Sequence, residues 1–208
     1  MRIAHYVNQF FAGIGAEEEA GVGPELRAGA VGPGKRLQSL LEDDHEIVAT
    51  IFCGDDYAAG HTEFAADLVA RAREEGAELV IAGPAFTSGR YGLACARIVS
   101  AAAEAGLPAL AAMHGDNPGV GEVEGAPVVA SGENARTMRP SLERFAEAVK
   151  KVAGGEELTG EDGRVNPVPR LNRVADRSAA QRAVALLLAR QSGDREATEI
   201  PLPDFDQV

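Results

Sequence analysis

The ten residues Gly83-Pro84-Ala85-Phe86-Thr87-Ser88-Gly89-Arg90-Tyr91-Gly92 bring together several groups suited to holding a ligand. Glycines let a backbone approach a bound molecule closely, Ser88 at a helix start leaves amides unpaired, and Arg90 carries a planar, permanently charged fork that matches a carboxylate or a phosphate. The same residues also read as a tight strand-to-helix turn with Arg90 in a surface ion pair, and their types alone do not separate the two readings. Cys53 follows an apolar run and precedes Gly54-Asp55-Asp56, where nearby amides can lower a thiol pKa and make it a nucleophile; a small buried hydrophobe fits the same place. Cys95 falls within a helical pattern and reads as core. His114 comes directly after a strand pattern with Asp116 two residues on, a pair that can shuttle a proton or hold a cation and that also suits a hydrogen-bonded loop. Asp55 and Asp56 read as turn residues.

Two glycine motifs fall short of their chemistry. Gly29-Ala30-Val31-Gly32-Pro33-Gly34-Lys35 has the spacing of a phosphate-cradling loop, but Arg36 stands where a metal-holding hydroxyl belongs and no buried strand leads into it. Gly13-Ile14-Gly15 is succeeded by Ala16 and three glutamates, which would repel a pyrophosphate. The histidines at 5, 45, 61 and 114 have no zinc-type spacing, so no metal site is expected. The two cysteines form no Cys-x-x-Cys and no disulfide framework.

These groups need a scaffold. Ile3–Val7, Glu46–Phe52, Leu79–Ala82 and Ala109–Met113 are short apolar runs that suit buried strands, with a fifth at Pro127–Ala130. Between them lie helical patterns: Lys35–Glu42 with Leu37, Leu40 and Leu41; Phe64, Leu68 and Ala72, stopped by Gly76; Leu93, Val99 and Ala102 after Ser88; and Leu142, Phe145, Val149 and Val152, with Pro140 near the start. Ala12–Gly34 carries seven glycines and two prolines and reads as a long loop with at most a turn of helix. Strands alternating with helices predict an α/β fold, a doubly wound, mostly parallel sheet of the Rossmann or flavodoxin-like kind. That domain is expected over 1–155. Residues 156–208 read as a C-terminal extension: a polar connection, a helix opened by a Ser178–Gln181 capping box, and an extended tail, packing on the domain or on a partner. Ligands of such sheets sit outside the carboxyl ends of the strands, so Asn8 and Gln9, Cys53 to Asp56, Gly83 to Arg90 and His114 to Gly119 should share one rim.

A chain of 208 residues with 45% hydrophobic and 25% charged side chains can bury one sizeable core. Its net charge of −12 disfavours nucleic acid and anionic membranes as partners. With no apolar run of membrane-spanning length and no signal-like N-terminus, a cytoplasmic location is expected.

The runs HYVNQFFAGIGAEEEA, GAVGPG, CGDDY, AGPAFTSGRYGLAC and NPGV, followed by PVPRLNRVADRSAAQRAVALLLAR and PLPDFDQV, resemble in order and spacing the N-terminal half of the selenoprotein B subunit of glycine, sarcosine and betaine reductases. The resemblance implies a part in reductive C–N bond cleavage of an amino-acid-like substrate, within an oligomeric complex. It implies partner chains that carry a pyruvoyl group and a selenocysteine, and no cofactor on this chain. The family's Sec-x-x-Cys-x-x-Cys motif belongs to the C-terminal half and is not among these residues, so a half-subunit, inactive alone, is expected. On this reading Asn8, Gln9, Glu17, Phe86, Arg90, Tyr91 and Asn117 lie near the substrate, whose carboxylate meets Arg90, and Cys53 and His114 are the candidate catalytic groups. The alternative is a non-catalytic small-molecule binder or structural α/β protein of a larger assembly.

Overall fold

The computed structural model describes residues 1–42, 44–165 and 177–198. The chain divides into two compact units, Met1–Val168 and Pro169–Val208. In the first, six strands form one sheet in the order β2-β3-β1-β4-β5-β6. These are β1 (Arg2–Asn8), β2 (Glu25–Ala28), β3 (Glu46–Cys53), β4 (Leu79–Ala82), β5 (Ala109–Met113) and β6 (Val128–Ala130). All neighbours run parallel except β2, which pairs antiparallel with β3 from the edge. The helices are α1 (Pro33–Leu41), α2 (Asp55–Gly60), α3 (Phe64–Glu74), α4 (Gly89–Glu104) and α5 (Met138–Ala153).

Side chains alternate across a strand, and each face of this sheet has its own helical cover. Ile3, Leu79, Ile81 and Leu110 pack with Leu37 and Leu41 of α1 and Phe145 and Val149 of α5. Ala4, Tyr6, Val80 and Ala82 pack on the other face with Leu68 of α3 and Ile98 and Val99 of α4. Both faces are thus buried, as a parallel sheet requires, and the doubly wound α/β expectation holds.

Three local differences have physical reasons. β2 lies in the stretch read as loop: it is mostly exposed, shows no apolar alternation, and gains its place from the ladder to β3 and from the Arg27 guanidinium 4.7 Å from the Phe52 ring centroid. Asp55 and Asp56 open the short helix α2 instead of a bare turn. On α4 the inward face carries Tyr91, Ala94, Cys95, Ile98, Val99 and Ala102, while Leu93 is half-buried. Gly76, at φ +83°, takes the left-handed conformation just past α3 where a side chain would be strained.

After α5 the polar stretch returns to its own unit, burying Leu158 and bridging Arg164 to Val129. In the second unit α6 (Ala179–Gln191) has the expected capping box between Ser178 and Gln181. Residues 166–176 of the connection and the 200–208 part of the tail lie outside the described residues.

Candidate functional site

From β1 the chain crosses through α1 to β3 on one side, and from β3 through α3 to β4 on the other. The sheet's topological switch point therefore falls between β1 and β4, where loops diverging to opposite faces leave a crevice. A cleft of about 370 Å³ lies there, within the range of small-molecule sites. After β1 it is walled by Asn8 to Phe11, Ala16 and Glu17, after β3 by Asp55, and after β4 by Ala85, Ser88 and Tyr91.

Side-chain amides join these loops. Asn8 Nδ2 donates to Asp55 Oδ2 at 3.0 Å, and Asn8 Oδ1 accepts from the Phe11 amide at 3.1 Å. Gln9 Oε1 accepts from the Asp55 amide at 3.1 Å, while its Nε2 donates to the Ala16 carbonyl at 3.3 Å. Segment 9–22 then arches over the β3 loop so closely that a Cβ on Gly54 would stand 2.0 Å from the Ala20 carbonyl oxygen. Only glycine fits there.

The loop after β4 is braced from behind. His5 Nε2 donates to the Gly83 carbonyl at 2.6 Å, and the Ala85 amide to the Ala112 carbonyl at 2.8 Å. Asn117 Nδ2 donates to the carbonyls of Phe86 (2.8 Å) and Ser88 (3.0 Å), and its Oδ1 accepts from the Gly119 amide. Asn117 is thus buried with its amide spent on the loop, and it does not line the cleft. Phe86 holds φ at +52° within that brace, a conformation costly for an aromatic residue.

On the rim Arg90 is already paired: its guanidinium reaches Glu17 Oε1 at 2.6 Å and also Asp56. Asn8, Gln9, Glu17, Arg90 and Tyr91 are therefore brought together. His114 stands apart, its Nδ1 accepting from the Asp116 amide at 3.1 Å with Asp116 Oδ2 at 3.8 Å. Cys53 is buried beneath the site, its Sγ 3.3 Å from the Tyr6 hydroxyl, and burial pushes the thiol up to about 11. Burial raises the Cys95 thiol as well. Neither offers a ready thiolate.

The residue that sequence reasoning passed over is Asp55, read as a turn former. It is 6% exposed, and burial raises its pKa against the bond from Asn8, which lowers it. Asp55 Oδ1 and Tyr91 Oη, with His5 Nδ1, are the buried side-chain polar atoms among the described residues that have no hydrogen-bond partner. The available signal was its position, two residues past a strand end at the rim.

The glycine-rich loop before α1 is no phosphate cradle. A Cβ on Gly32 would lie 1.9 Å from the Phe11 carbonyl oxygen, the Val31 amide donates to Thr50 Oγ1, and the Gly34 amide donates back to Val31. Among the described residues no group of three His, Cys, Asp or Glu side chains is placed to hold a metal. No described helix is long and apolar enough to cross a membrane.

The sequence matches the family of glycine/sarcosine/betaine reductase selenoprotein B over residues 1–208. A glycine reductase complex component B subunit gamma from Symbiobacterium thermophilum is 42% identical, the alignment taking in all of this chain and 49% of the relative. From Peptoclostridium acidaminophilum, a sarcosine reductase complex component B subunit beta is 37% identical over all of this chain and 49% of its own length. A betaine reductase complex component B subunit beta from the same organism is 34% identical over 98% of this chain and 48% of its own length. The chain spans about half the length of these relatives. No solved structure matches it. A family match over residues 1–208, with a relative 42% identical over all of this chain, places the chain in the glycine/sarcosine/betaine reductase selenoprotein B family.

Proposed function

We propose that the chain acts as a component of a glycine, sarcosine or betaine reductase-like complex, and that its switch-point cleft is the face offered to substrate. The observation that carries this reading is the family match over residues 1–208 together with a small, polar-floored cleft where doubly wound sheets bind ligands. The relatives are named as components of multi-subunit reductase complexes, which supports further subunits as partners. In this proposal the pyruvoyl group and the selenocysteine reside on those partners, the reaction is reductive cleavage of the substrate C–N bond, and this chain contributes binding and orientation. The burial of both thiols favours that division of labour.

Arg90 is the group proposed to receive a substrate carboxylate, in exchange for Glu17. Calorimetry with glycine, sarcosine and betaine on wild type and Arg90→Ala tests the reading. Binding of at least one of them, weakened in the variant, is the expected result; equal binding to both proteins, or none to either, overturns it.

A further inference from the structure

The cleft holds a charge pattern that Arg90 alone does not explain. Three carboxylates, Glu17, Asp55 and Asp56, face one guanidinium, and of the three Asp55 is the buried one. Its position is over-determined: Asn8 Nδ2 holds Oδ2, Gln9 Oε1 holds the backbone amide, and Oδ1 is left with no partner. The Tyr91 hydroxyl, on a residue 1% exposed that also walls the cleft, has loose contacts with the Asn8 backbone and the Cys95 thiol and no hydrogen bond of good geometry. Leaving two buried polar atoms unpaired is costly, and such atoms persist where something else supplies the missing partner. An N–H-bearing cation supplies it for both. The Phe11 and Tyr91 rings, 5.9 Å apart, wall the same cleft.

We infer that Asp55 is the specificity-determining group of the cleft, accepting N–H bonds from the ammonium of a small amino acid whose carboxylate takes Arg90 from Glu17. The inference rests on the cleft being the ligand site proposed above. The exchange at Arg90 is cheap, because its partners Glu17 and Asp56 are exposed, with 71% and 58% of their side chains open to water. It also has a structural consequence. Asp55 Oδ1 and Tyr91 Oη are closed to water at the inner end, and Glu17 belongs to the segment that walls them in. Releasing Glu17 from Arg90 loosens that wall, so the carboxylate end of the ligand opens the way for the ammonium end. A primary or secondary ammonium satisfies Asp55, whereas a quaternary one has no N–H to give.

Calorimetry of the 208-residue chain with glycine, betaine and acetate, on wild type, Asp55→Asn and Tyr91→Phe, tests this. Wild type is expected to prefer glycine over betaine, and folded Asp55→Asn to lose at least about tenfold in glycine affinity with little change for betaine. Tyr91→Phe removes an unpaired hydroxyl, so it keeps its thermal midpoint yet binds glycine several-fold more weakly; it decides the matter if Asp55→Asn does not fold. Unchanged glycine binding by folded Asp55→Asn, or wild type binding betaine as well as glycine, overturns the inference. Acetate bound as tightly as glycine, and lost in Arg90→Ala, keeps the cleft as a site and overturns the inference alone. A folded wild type that binds none of the probes brings down the inference and the site reading together.

Discussion

His5 should make the protein markedly less stable in mild acid, and the size of the effect follows from its surroundings. The residue sits in the middle of β1 with no exposed surface, its ring in a T-shaped pair with Phe145 at 6.4 Å between centroids. Because Nε2 donates to the Gly83 carbonyl, Nδ1 is the bare nitrogen, and it has no partner. Gly34 packs against it so tightly that a Cβ there would stand 2.8 Å from Nδ1. Protonation would place a charge on that buried nitrogen with no acceptor, so burial lowers the pKa from 6.5 to about 4, against the bond to Gly83, which raises it. Between those two values the unfolded chain binds a proton that the native protein refuses, so stability falls as pH falls across the window and this group costs nothing further below it. The gap from 6.5 to about 4, at about 1.4 kcal/mol per pH unit, comes to about 3–4 kcal/mol, a large part of a typical domain's stability of roughly 5–15 kcal/mol. His5→Gln keeps an amide donor for Gly83 and does not titrate. Urea unfolding at about pH 7 and about pH 4.5 should show wild type losing roughly 2–3 kcal/mol more than His5→Gln between the two conditions. Parallel losses in the two proteins would refute the reasoning.

Two further outcomes follow from the braces around the cleft. Asn117→Ala strands the carbonyls of Phe86 and Ser88 and the Gly119 amide, and should cost about 2–4 kcal/mol in urea unfolding; a loss under ~1 kcal/mol would show that water replaces the brace. Iodoacetamide at about pH 8 should label Cys53 and Cys95 at least ~100-fold more slowly in the native protein than in urea, since both thiols are buried and raised. Rapid native labelling of Cys53 would instead identify a poised thiolate.

The parallel strands were legible because burial on both faces leaves short, uninterrupted apolar runs such as Leu79–Ala82, and the helices because their inward stripes recur at helical spacing. What escaped was set by tertiary context. Glu25–Ala28 has no strand signature of its own and is a strand because β3 offers an open edge. Asp55 and Asp56 are adjacent with identical chemistry, yet one is buried in the cleft and the other pairs with Arg90 on the rim. No local pattern distinguishes them; the neighbours Asn8 and Gln9, 46 or 47 residues earlier, do.

The same holds for Arg90, whose partner Glu17 is 73 residues away in a stretch that reads only as loop. Residue types gave its chemistry, a fork for an anion, but not that the fork is already filled by two carboxylates of the protein itself. That difference changes what the site selects. With an unoccupied Arg90 the cleft would favour any small carboxylate. With Arg90 held by Glu17 and Asp56 and with Asp55 Oδ1 unpaired beneath, an anion would gain little unless it brought a cation, because the added negative charge would join three carboxylates against one guanidinium. A zwitterion would add no net charge, exchange with Glu17 at the rim and pair Asp55 at the floor. Selectivity would then arise from contacts made between loops from three strands rather than from any one motif.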